Sequence, residues 1–532
     1  MAANKRERMS SVDTAWLRMD RPSNLMMICG VLIFRERLDF GRLQAIIADR
    51  FLSFPRFRQR PLQTPAGVYW ETDKDVDLSA HVQRIELPRP AGKSELQALA
   101  SDLISAPLDS ARPMWQFHLV EHYDGRSALI ARIHHCYADG IALIQVMLSL
   151  TDTDRAGKAP RPVPEPPRRA EGDADAQEEL LQPLSGAMKT AQKLGTMLIE
   201  KGVELWREPS KAVAFVGKGR ALTDELAQLL LMGEDSATRF KGEPGVAKRV
   251  AWTDPIALDE VKTIGKALDC SVNDVLLSSV AGALRAYLVG RGDRVAGVSI
   301  RALVPVNLRP PEKAYRLGNH FGLVFLDLPI GIENPIERLY AVRANMRSLK
   351  DSYQPVLALG ILAAMGSGPK MLQDQLLAML SKNATAVMTN VPGPQQPLYL
   401  AGARIDNLMF WVPQSGDIAM GVSILSYDGA VQFGLVTDRA ICPDPEHVID
   451  RFGPEFERLV LATLMAPWPW TEPPRPKTSS APCSSRPKRD AIRVLIGRAR
   501  RRAAPSRPPV CTLQLARRAW SPRRAFLCRR KG

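Results

Sequence analysis

Apolar runs and polar segments alternate along the first 150 residues in the manner of strands and helices. The run from Ser127 to Ile133 is short, apolar and partly β-branched, which predicts a mostly buried strand. The stretch from Ile141 to Leu150 is apolar and contains neither Gly nor Pro, so we expect it to begin a buried helix. This alternation indicates an α/β domain over residues 1–151.

A second α/β region is expected over residues 248–470. Its first strong signal is a helix-like segment from Ser271 to Leu288, for which Ser271, Asn273 and Asp274 are candidate N-caps. We predict strands at Val298–Leu308, Leu323–Leu328 and Ala384–Met388, and a closing helix at Cys442–Ala466. A β-hairpin is predicted where Asp428-Gly429 joins the apolar runs Val422–Tyr427 and Ala430–Val436.

Residues 152–247 separate these two regions and differ from them in composition. Residues 161–175 are rich in proline and charge, which is typical of a linker. From Ala187 to Trp206 apolar residues recur at helical spacing, which predicts an amphipathic helix. That helix either packs across the two domains or binds a lipid monolayer, since lysines and a tryptophan suit an interface.

The charge of the chain is unevenly distributed. A chain of 532 residues is too long for one compact core, so we expect two or more domains. Residues 471–532 hold 18 Lys and Arg residues against two acids, which accounts for the whole net charge of +16. The neutral remainder gives no reason to expect nucleic-acid binding. The basic tail should be disordered, as either a solvated or unselected segment or an electrostatic contact with anionic lipid.

The remaining composition bounds the cellular location. The cysteines outside the tail are scattered, without a disulfide framework, which fits a reducing compartment. No signal-peptide cleavage site is evident near the N-terminus. No apolar stretch approaches the ~20 residues needed to span a bilayer. We therefore expect a cytoplasmic protein that meets lipid only from the surface.

The strongest chemical signal is the run His134-His135-Cys136-Tyr137-Ala138-Asp139-Gly140, where the predicted strand meets a loop. Neighbours on a strand point to opposite faces, so His134 and His135 should differ in role. An imidazole titrates near ~6.5 and can serve as a general base at neutral pH. The alternatives are a metal site or two core histidines with satisfied hydrogen bonds; against the metal site, adjacent histidines diverge and no zinc-type spacing is present. Asp139 can lie near His135 only if the loop turns back, and Gly140 would allow that turn.

This run matches the HHxxxDG motif of the chloramphenicol acetyltransferase-like superfamily. Further segments resemble the bacterial wax ester synthase/diacylglycerol acyltransferase family, and they are Met9–Leu17, Pro107–Asp109, Arg112–Trp115, Ser271–Leu276, Gly318-Asn319 and Asn390–Pro394. One departure is Met114, where the family usually has Leu. The matches run in order from residue 9 to about residue 470. The resemblance implies an α/β fold of two chloramphenicol acetyltransferase-like, or condensation-domain-like, domains with a tunnel at their interface.

The resemblance also implies roles for the residues of the histidine motif. His135 would be the catalytic base, His134 a supporting residue and Asp139 an orienting acid with a structural role, followed by Gly140 in the turn. Cys136 could act as a nucleophile. It occupies a variable position of the motif, however, and we expect direct transfer without an acyl-enzyme.

Residues outside the motif are implied to support it. Asn273 and Asp274 match a segment associated with activity, although a helix N-cap is the simpler interpretation for Asp274. Pro113 and Trp115 would shape the acyl channel. Asn390 opens a Gly/Pro turn that would bend the chain or line the tunnel.

We therefore predict an O-acyltransferase that moves a long-chain acyl group from acyl-CoA to diacylglycerol or a long-chain alcohol. Acyl-CoA would be a co-substrate, and no cofactor or metal is expected. The enzyme would work at the inner membrane face or on lipid inclusions. Two alternatives stay open: a condensation-type enzyme that uses carrier-protein thioesters, and a non-catalytic protein that binds lipid droplets.

Overall fold

The computed structural model describes residues 6–157, 232–309, 317–349 and 352–465. The proline-rich linker, the predicted helix at 187–206 and the basic tail lie outside the described residues.

Strands and helices alternate through the first half, as the apolar pattern predicts. The strands are β1 (Arg6–Arg8), β2 (Met27–Phe34), β3 (Gln59–Thr64), β4 (Gly67–Thr72), β5 (Val82–Ile85), β6 (Trp115–Tyr123) and β7 (Arg126–His134). The helices are α1 (Ser11–Met19), α2 (Phe40–Ile46), α3 (Leu78–His81), α4 (Lys93–Ser105) and α5 (Gly140–Ser149). A π-helical segment and a 3-10 helix follow α2, at Ile47–Phe51 and Pro55–Arg58. β7 and α5 confirm the predicted strand and helix on either side of the histidine motif.

The strand β7 lies inside a sheet that is covered on both faces. Its neighbours are β2 and β6, both antiparallel to it. Leu129 packs into one hydrophobic cluster and Ile130, on the opposite face, into another. Because neither face meets water, the strand is apolar at almost every position instead of alternating with polar residues.

The second half contributes a larger mixed sheet and most of the remaining helices. Its strands are β8 (Lys248–Trp252), β9 (Ile256–Ala257), β10 (Ile300–Asn307), β11 (Phe321–Leu328), β12 (Ala386–Pro392), β13 (Tyr399–Leu400), β14 (Ala403–Trp411), β15 (Met420–Tyr427) and β16 (Ala430–Asp438). Its helices are α6 (Leu258–Leu268), α7 (Val272–Gly290), α8 (Pro335–Ser348), α9 (Gln354–Ser367), α10 (Lys370–Lys382) and α11 (Pro445–Met465). The sheet has the order β11-β10-β12-β15-β16-β8, and β9 also pairs with β16.

Two strands cross the boundary that the sequence predicts between the halves. β14 pairs antiparallel with β2, so the first sheet has the order β13-β14-β2-β7-β6-β5. The fold is mixed α/β with two domains, but a cut between 1–151 and 248–470 does not separate the sheets. The second half completes the sheet that carries the histidine motif.

The predicted elements of the second half are present with small shifts at their ends. The hairpin is confirmed, with Tyr427 opposite Ala430 and the turn residues Asp428 and Gly429 at φ of 47° and 75°. Positive φ at both central residues is the geometry that Asp-Gly favours. One expectation was wrong in detail: Asn390 lies within β12, and the chain leaves the strand only after Pro392.

The helix α7 contradicts the expectation that no apolar stretch approaches the length of a membrane span. Its 19 residues are apolar and long enough to cross a membrane by length and composition, whereas no stretch near that length was expected. However, 78% of its most apolar window is buried inside the protein. Burial of that extent is typical of a core helix, and it explains why α7 is apolar on nearly all sides.

Candidate active site

The histidine motif occupies the loop between β7 and α5. The His134 amide donates to the Met114 carbonyl at 3.0 Å, and the His135 amide donates to the Met26 carbonyl at 2.7 Å. Both carbonyls belong to segments beside neighbouring strands of the same sheet. The two histidines are therefore held by backbone hydrogen bonds before any side chain is considered.

The His135 ring lies among aromatic side chains. It stacks on Trp16 at a centroid distance of 4.1 Å, and Phe321 lies 5.7 Å away. The residue is only 4% exposed, and its buried Nδ1 has no hydrogen-bond partner among the described residues. Burial lowers the pKa of His135 to about 3, because an imidazolium would lose its hydration there. The ring is consequently neutral at physiological pH and free to accept a proton.

A buried carboxylate and amide hold the loop at His135 from the other side. Asp13, on α1, accepts from the backbone and the side-chain nitrogen of Asn319, at 3.2 and 2.8 Å. The Asn319 side chain also donates to the His135 carbonyl at 2.9 Å. Burial raises the pKa of Asp13, and the hydrogen bonds from Asn319 oppose that shift. Helix α1 is thus linked to His135 in two ways. Trp16 stacks directly on the ring, and Asp13 holds Asn319, which binds the His135 backbone.

An acid that orients the base would bind the His135 ring, but the Asp139 carboxylate binds other groups. Its carboxylate accepts from Arg309 at 2.7 Å, from the His320 amide at 3.0 Å and from the Ala142 amide at 2.9 Å. None of the hydrogen bonds found among the described residues joins it to the His135 ring. Asp139 therefore caps α5 and ties the loop to Arg309, and it fixes the position of the loop instead of the tautomer of the imidazole.

Gly140 lies in the helix after the motif and not in the turn that the sequence predicts. It is the first residue of α5 and is not among the residues with positive φ. A Cβ added there would meet nothing within 4 Å. The turn does not need a glycine for its backbone; the glycine leaves open space beside the motif. The left-handed glycine at this site is Gly318, with a φ of 107°, whose carbonyl accepts from the Asp139 amide.

His134 and Cys136 make contacts of their own beside His135. His134 Nδ1 accepts from the Cys136 amide at 3.2 Å, and its Nε2 lies 3.7 Å from Asp20. The Cys136 side chain is fully buried, and burial raises its pKa well above the usual range. A thiol that stays protonated is a poor nucleophile. Among the residues that the structure describes, no group of three or more His, Cys, Asp or Glu side chains is placed to hold a metal ion.

Trp115 is the first residue of the neighbouring strand β6, and Pro113 lies just before that strand. Trp115 stacks on His81 at 4.2 Å, packs against Phe51, and donates from its indole to the Phe57 carbonyl at 2.8 Å. The Met114 amide, between Pro113 and Trp115, donates to the Tyr137 hydroxyl at 2.9 Å. Trp115 is fully buried in this aromatic core and does not line the cavity described below, so a role of Pro113 and Trp115 in an acyl channel stays a prediction.

The three remaining predicted residues lie together in the second half. Asp274 and Ser271 form a reciprocal capping box at the start of α7, with bonds of 2.9 and 3.1 Å. Asp274 therefore has the capping role expected of it, but as the third helical residue of the box, whereas Ser271 is the N-cap. Asn273 accepts a hydrogen bond from the side chain of Asn390, and both residues are half-buried. The pair joins the start of α7 to the end of β12.

A mainly apolar cavity shares Trp16 with the histidine site. Trp16 and Met19 of α1 form one wall, and apolar side chains of β10, β11, α9 and α10, together with Ser415, form the rest. Trp16 both stacks on His135 and lines the cavity. Such a lining offers an apolar environment to a hydrocarbon chain, whose transfer from water is favourable by ~0.8 kcal/mol per methylene.

Several of these residues were missed from the sequence alone. Asp13, Trp16 and Asn319 lie in segments that carry the family resemblance, but nothing local indicated that they meet His135. Arg309 gave no signal at all, because a single arginine at the end of a strand is ordinary. Each of the four reaches the motif from a distant part of the chain.

Comparisons with known proteins agree with this architecture. Residues 9–276 match the family model for the wax ester synthase/diacylglycerol acyltransferase catalytic domain, and residues 317–460 match its C-terminal domain. A protein of Mycobacterium tuberculosis named as a probable diacylglycerol O-acyltransferase is 26% identical over 85% of this chain and 95% of its own length. A second such mycobacterial protein is 30% identical over 74% of this chain and 85% of its own length.

Solved structures share the fold. The wax ester synthase/diacylglycerol acyltransferase of Marinobacter aquaeolei superposes with a TM-score of 0.60 at 20% identity, covering 86% of this chain and 99% of that one. The starter condensation domain of rhizomide synthetase, in complex with C8-CoA, superposes with a TM-score of 0.51 at 12% identity, covering 86% and 94%. The two family models match consecutive parts of the chain, and the relatives named above carry the name of the same activity. The chain therefore belongs to the wax ester synthase/diacylglycerol acyltransferase family.

Proposed function

We propose that this acyltransferase moves a long-chain acyl group from acyl-CoA to the hydroxyl of diacylglycerol or of a long-chain alcohol. The observation that carries the proposal is a buried, neutral His135 next to an apolar cavity, the two sharing Trp16. The names of the mycobacterial relatives support diacylglycerol as an acceptor. The C8-CoA complex of a protein with this fold supports acyl-CoA as the donor.

In the proposed reaction His135 takes the proton from the acceptor hydroxyl as its oxygen attacks the thioester carbonyl carbon. The tetrahedral intermediate then collapses, the carbon–sulfur bond breaks, and the coenzyme A thiolate takes the proton from the imidazolium. An ester and free coenzyme A are the products. No acyl-enzyme is required, which agrees with a Cys136 thiol that is buried and protonated.

The environment of His135 has two effects on this reaction. Burial keeps the imidazole neutral, so every molecule holds its base in the reactive form at physiological pH. Burial also penalises the imidazolium that forms during the reaction. The negative charge that develops on the thioester oxygen offsets this penalty, because opposite charges attract strongly where the effective dielectric is low.

The test is an assay of the full chain with a long-chain acyl-CoA and, separately, diacylglycerol or hexadecanol. We expect ester from at least one acceptor. His135→Ala should lower kcat by about 100- to 10,000-fold, whereas His122→Ala, an exposed histidine on β6, serves as the matched control.

Cys136→Ala completes the set and should keep most of the activity. Absence of ester from both acceptors would overturn the proposed function. A Cys136→Ala variant without activity, beside an active His135→Ala variant, would overturn the mechanism but leave the reaction standing.

A further inference from the structure

Trp16 lies at the boundary between the reacting group and the cavity. Its indole stacks on the His135 imidazole at 4.1 Å and an interplanar angle of 20°. The same side chain lines the cavity with residues such as Leu362 and Met365 of α9. Phe321 packs against Trp16 at 5.7 Å and completes an aromatic enclosure around the imidazole.

The helix that carries Trp16 is held firmly in place. The Gln373 side chain, on α10, donates to the Ala15 carbonyl at 3.0 Å. Arg18 donates to the carbonyls of Gly366 and Gly368, at 3.2 and 3.1 Å. With bonds on both sides of Trp16 along α1, its ring is a fixed wall and its volume determines how much space remains beside the imidazole.

Trp16 acts on the space beside His135 through the size of its ring and not through a hydrogen bond. Trp16 is 5% exposed, and within the part of the chain that the structure describes its buried Nε1 has no hydrogen-bond partner. Phenylalanine at this position would therefore lose no hydrogen bond found in the structure, while it would reduce the volume of the wall. The variants Trp16→Phe and Trp16→Ala form a series that changes mainly size.

The acceptors of the proposed reaction differ in bulk next to the reacting hydroxyl. A base must approach that hydroxyl to about 3 Å, so the neighbouring carbon atoms of the acceptor meet the ring that stacks on the base. In both acceptors the hydroxyl is on a CH2 group. In a long-chain alcohol the carbon after that CH2 carries only hydrogen atoms and the rest of the chain. In 1,2-diacylglycerol that second carbon is branched and carries an acyloxy group, which needs more room.

We propose that Trp16 sets the acceptor preference by limiting the bulk that reaches His135. The inference rests on the proposed function and adds the residue that chooses between its two acceptor classes. A smaller side chain at position 16 admits diacylglycerol more readily relative to a linear alcohol.

The experiment measures the ratio of kcat/KM for diacylglycerol to kcat/KM for hexadecanol, with one acyl-CoA as donor. The ratio cancels any loss of activity that both acceptors share, including a loss caused by weaker stacking on His135. We expect the ratio to rise by roughly tenfold or more in Trp16→Ala, the size of effect expected when a pocket gains room for about one carbon-sized group. Trp16→Phe should give a smaller rise in the same direction.

Trp252→Phe is the matched control, because Trp252 is buried and packs against Trp411 instead of His135. Its ratio should equal that of the wild type. If Trp16→Ala does not fold, as judged by circular dichroism, Trp16→Phe alone decides by the direction of its ratio.

A ratio that falls, or stays within about twofold of the wild type in the Trp16 variants, overturns the inference. That outcome differs from failure of the proposed function, in which the wild-type protein forms ester from neither acceptor. A ratio that rises equally in Trp252→Phe would also overturn it, because the effect would then belong to any lost buried indole.

Discussion

At the scale of single residues, His135 owes its protonation state to burial and not to a carboxylate partner. Asp139, the acid of the motif, is bound by Arg309 and by backbone amides. The imidazole instead has an indole on one side and an unpartnered Nδ1. A base in such a place is neutral over a wide pH range, which has a measurable consequence.

We predict that the base stays unprotonated between about pH 8 and about pH 5, so that its protonation does not lower kcat/KM over this range. The protonated imidazole cannot accept the hydroxyl proton, so activity is lost only as pH falls toward the pKa of about 3. A histidine with an ordinary pKa near ~6.5 would lose about tenfold by pH ~5.5. The measurement is a pH–rate profile over the range in which circular dichroism shows native protein. An acid limb near ~6.5 in that profile would mean that His135 is hydrated in the free enzyme or is not the base.

Residue identities were predictable from the sequence only where the signal is local. The motif itself marks His135, and Ser271 with Asp274 three positions later marks a capping box that the structure contains. Trp16 and Asn319 were not assigned, because their roles depend on contacts with His135 that no local pattern encodes. A structural role was expected for Asp139, but its partner Arg309 was not predictable, since it lies 170 residues further along the chain.

At the scale of elements, the loop between β7 and α5 is held in place by an ion pair that spans the two halves. Arg309 and Asp139 meet at 2.7 Å, with side chains only 2% and 7% exposed. The same guanidinium donates to the Gly318 carbonyl at 2.6 Å. Removing one partner of a buried pair leaves a charge without compensation, which costs more than removing both.

We therefore predict that Asp139→Asn lowers the free energy of unfolding by about 3 to 5 kcal/mol. Activity should fall with it, because the loop carries His135. The double variant Asp139→Asn with Arg309→Met should be less destabilised than the sum of the two single variants. Urea unfolding followed by circular dichroism supplies the comparison, and strictly additive effects would show that the two side chains do not compensate each other.

The positions of helices and strands along the chain were easier to predict than the strands and helices against which they pack. β7, α5, α7 and the β15–β16 hairpin all appear where periodicity and turn residues place them. The pairing of β14 with β2 was not predictable, because an apolar strand satisfies its hydrogen bonds equally well at the edge of either sheet. The cavity between α1, α9 and α10 was beyond the sequence as well, since its walls come from segments more than 300 residues apart.

At the scale of the whole molecule, burial of histidines makes stability depend on pH. Burial lowers the pKa of His81, of His118 to about 4, and of His135 to about 3. In the unfolded chain each titrates near ~6.5, so the unfolded state binds more protons below that pH. Asp13, with its raised pKa, acts in the opposite direction. Four carboxylates with lowered pKa values act in the same direction as the histidines at still lower pH: Glu71, Asp77, Glu95 and Asp293.

We predict that the free energy of unfolding falls as pH decreases below about 6.5, by about 1.4 kcal/mol per pH unit for each histidine that stays neutral in the fold. His118 tests this best, because both of its ring nitrogens are buried without partners and it lies outside the candidate site. His118→Phe removes the titrating group, so urea midpoints measured at pH ~7 and pH ~5 should differ less than in the wild type. His122→Ala, at an exposed position, should leave the wild-type difference unchanged. Equal differences in all three proteins would mean that other groups cause the acid sensitivity, and that His118 is protonated as readily in the fold as in the unfolded chain.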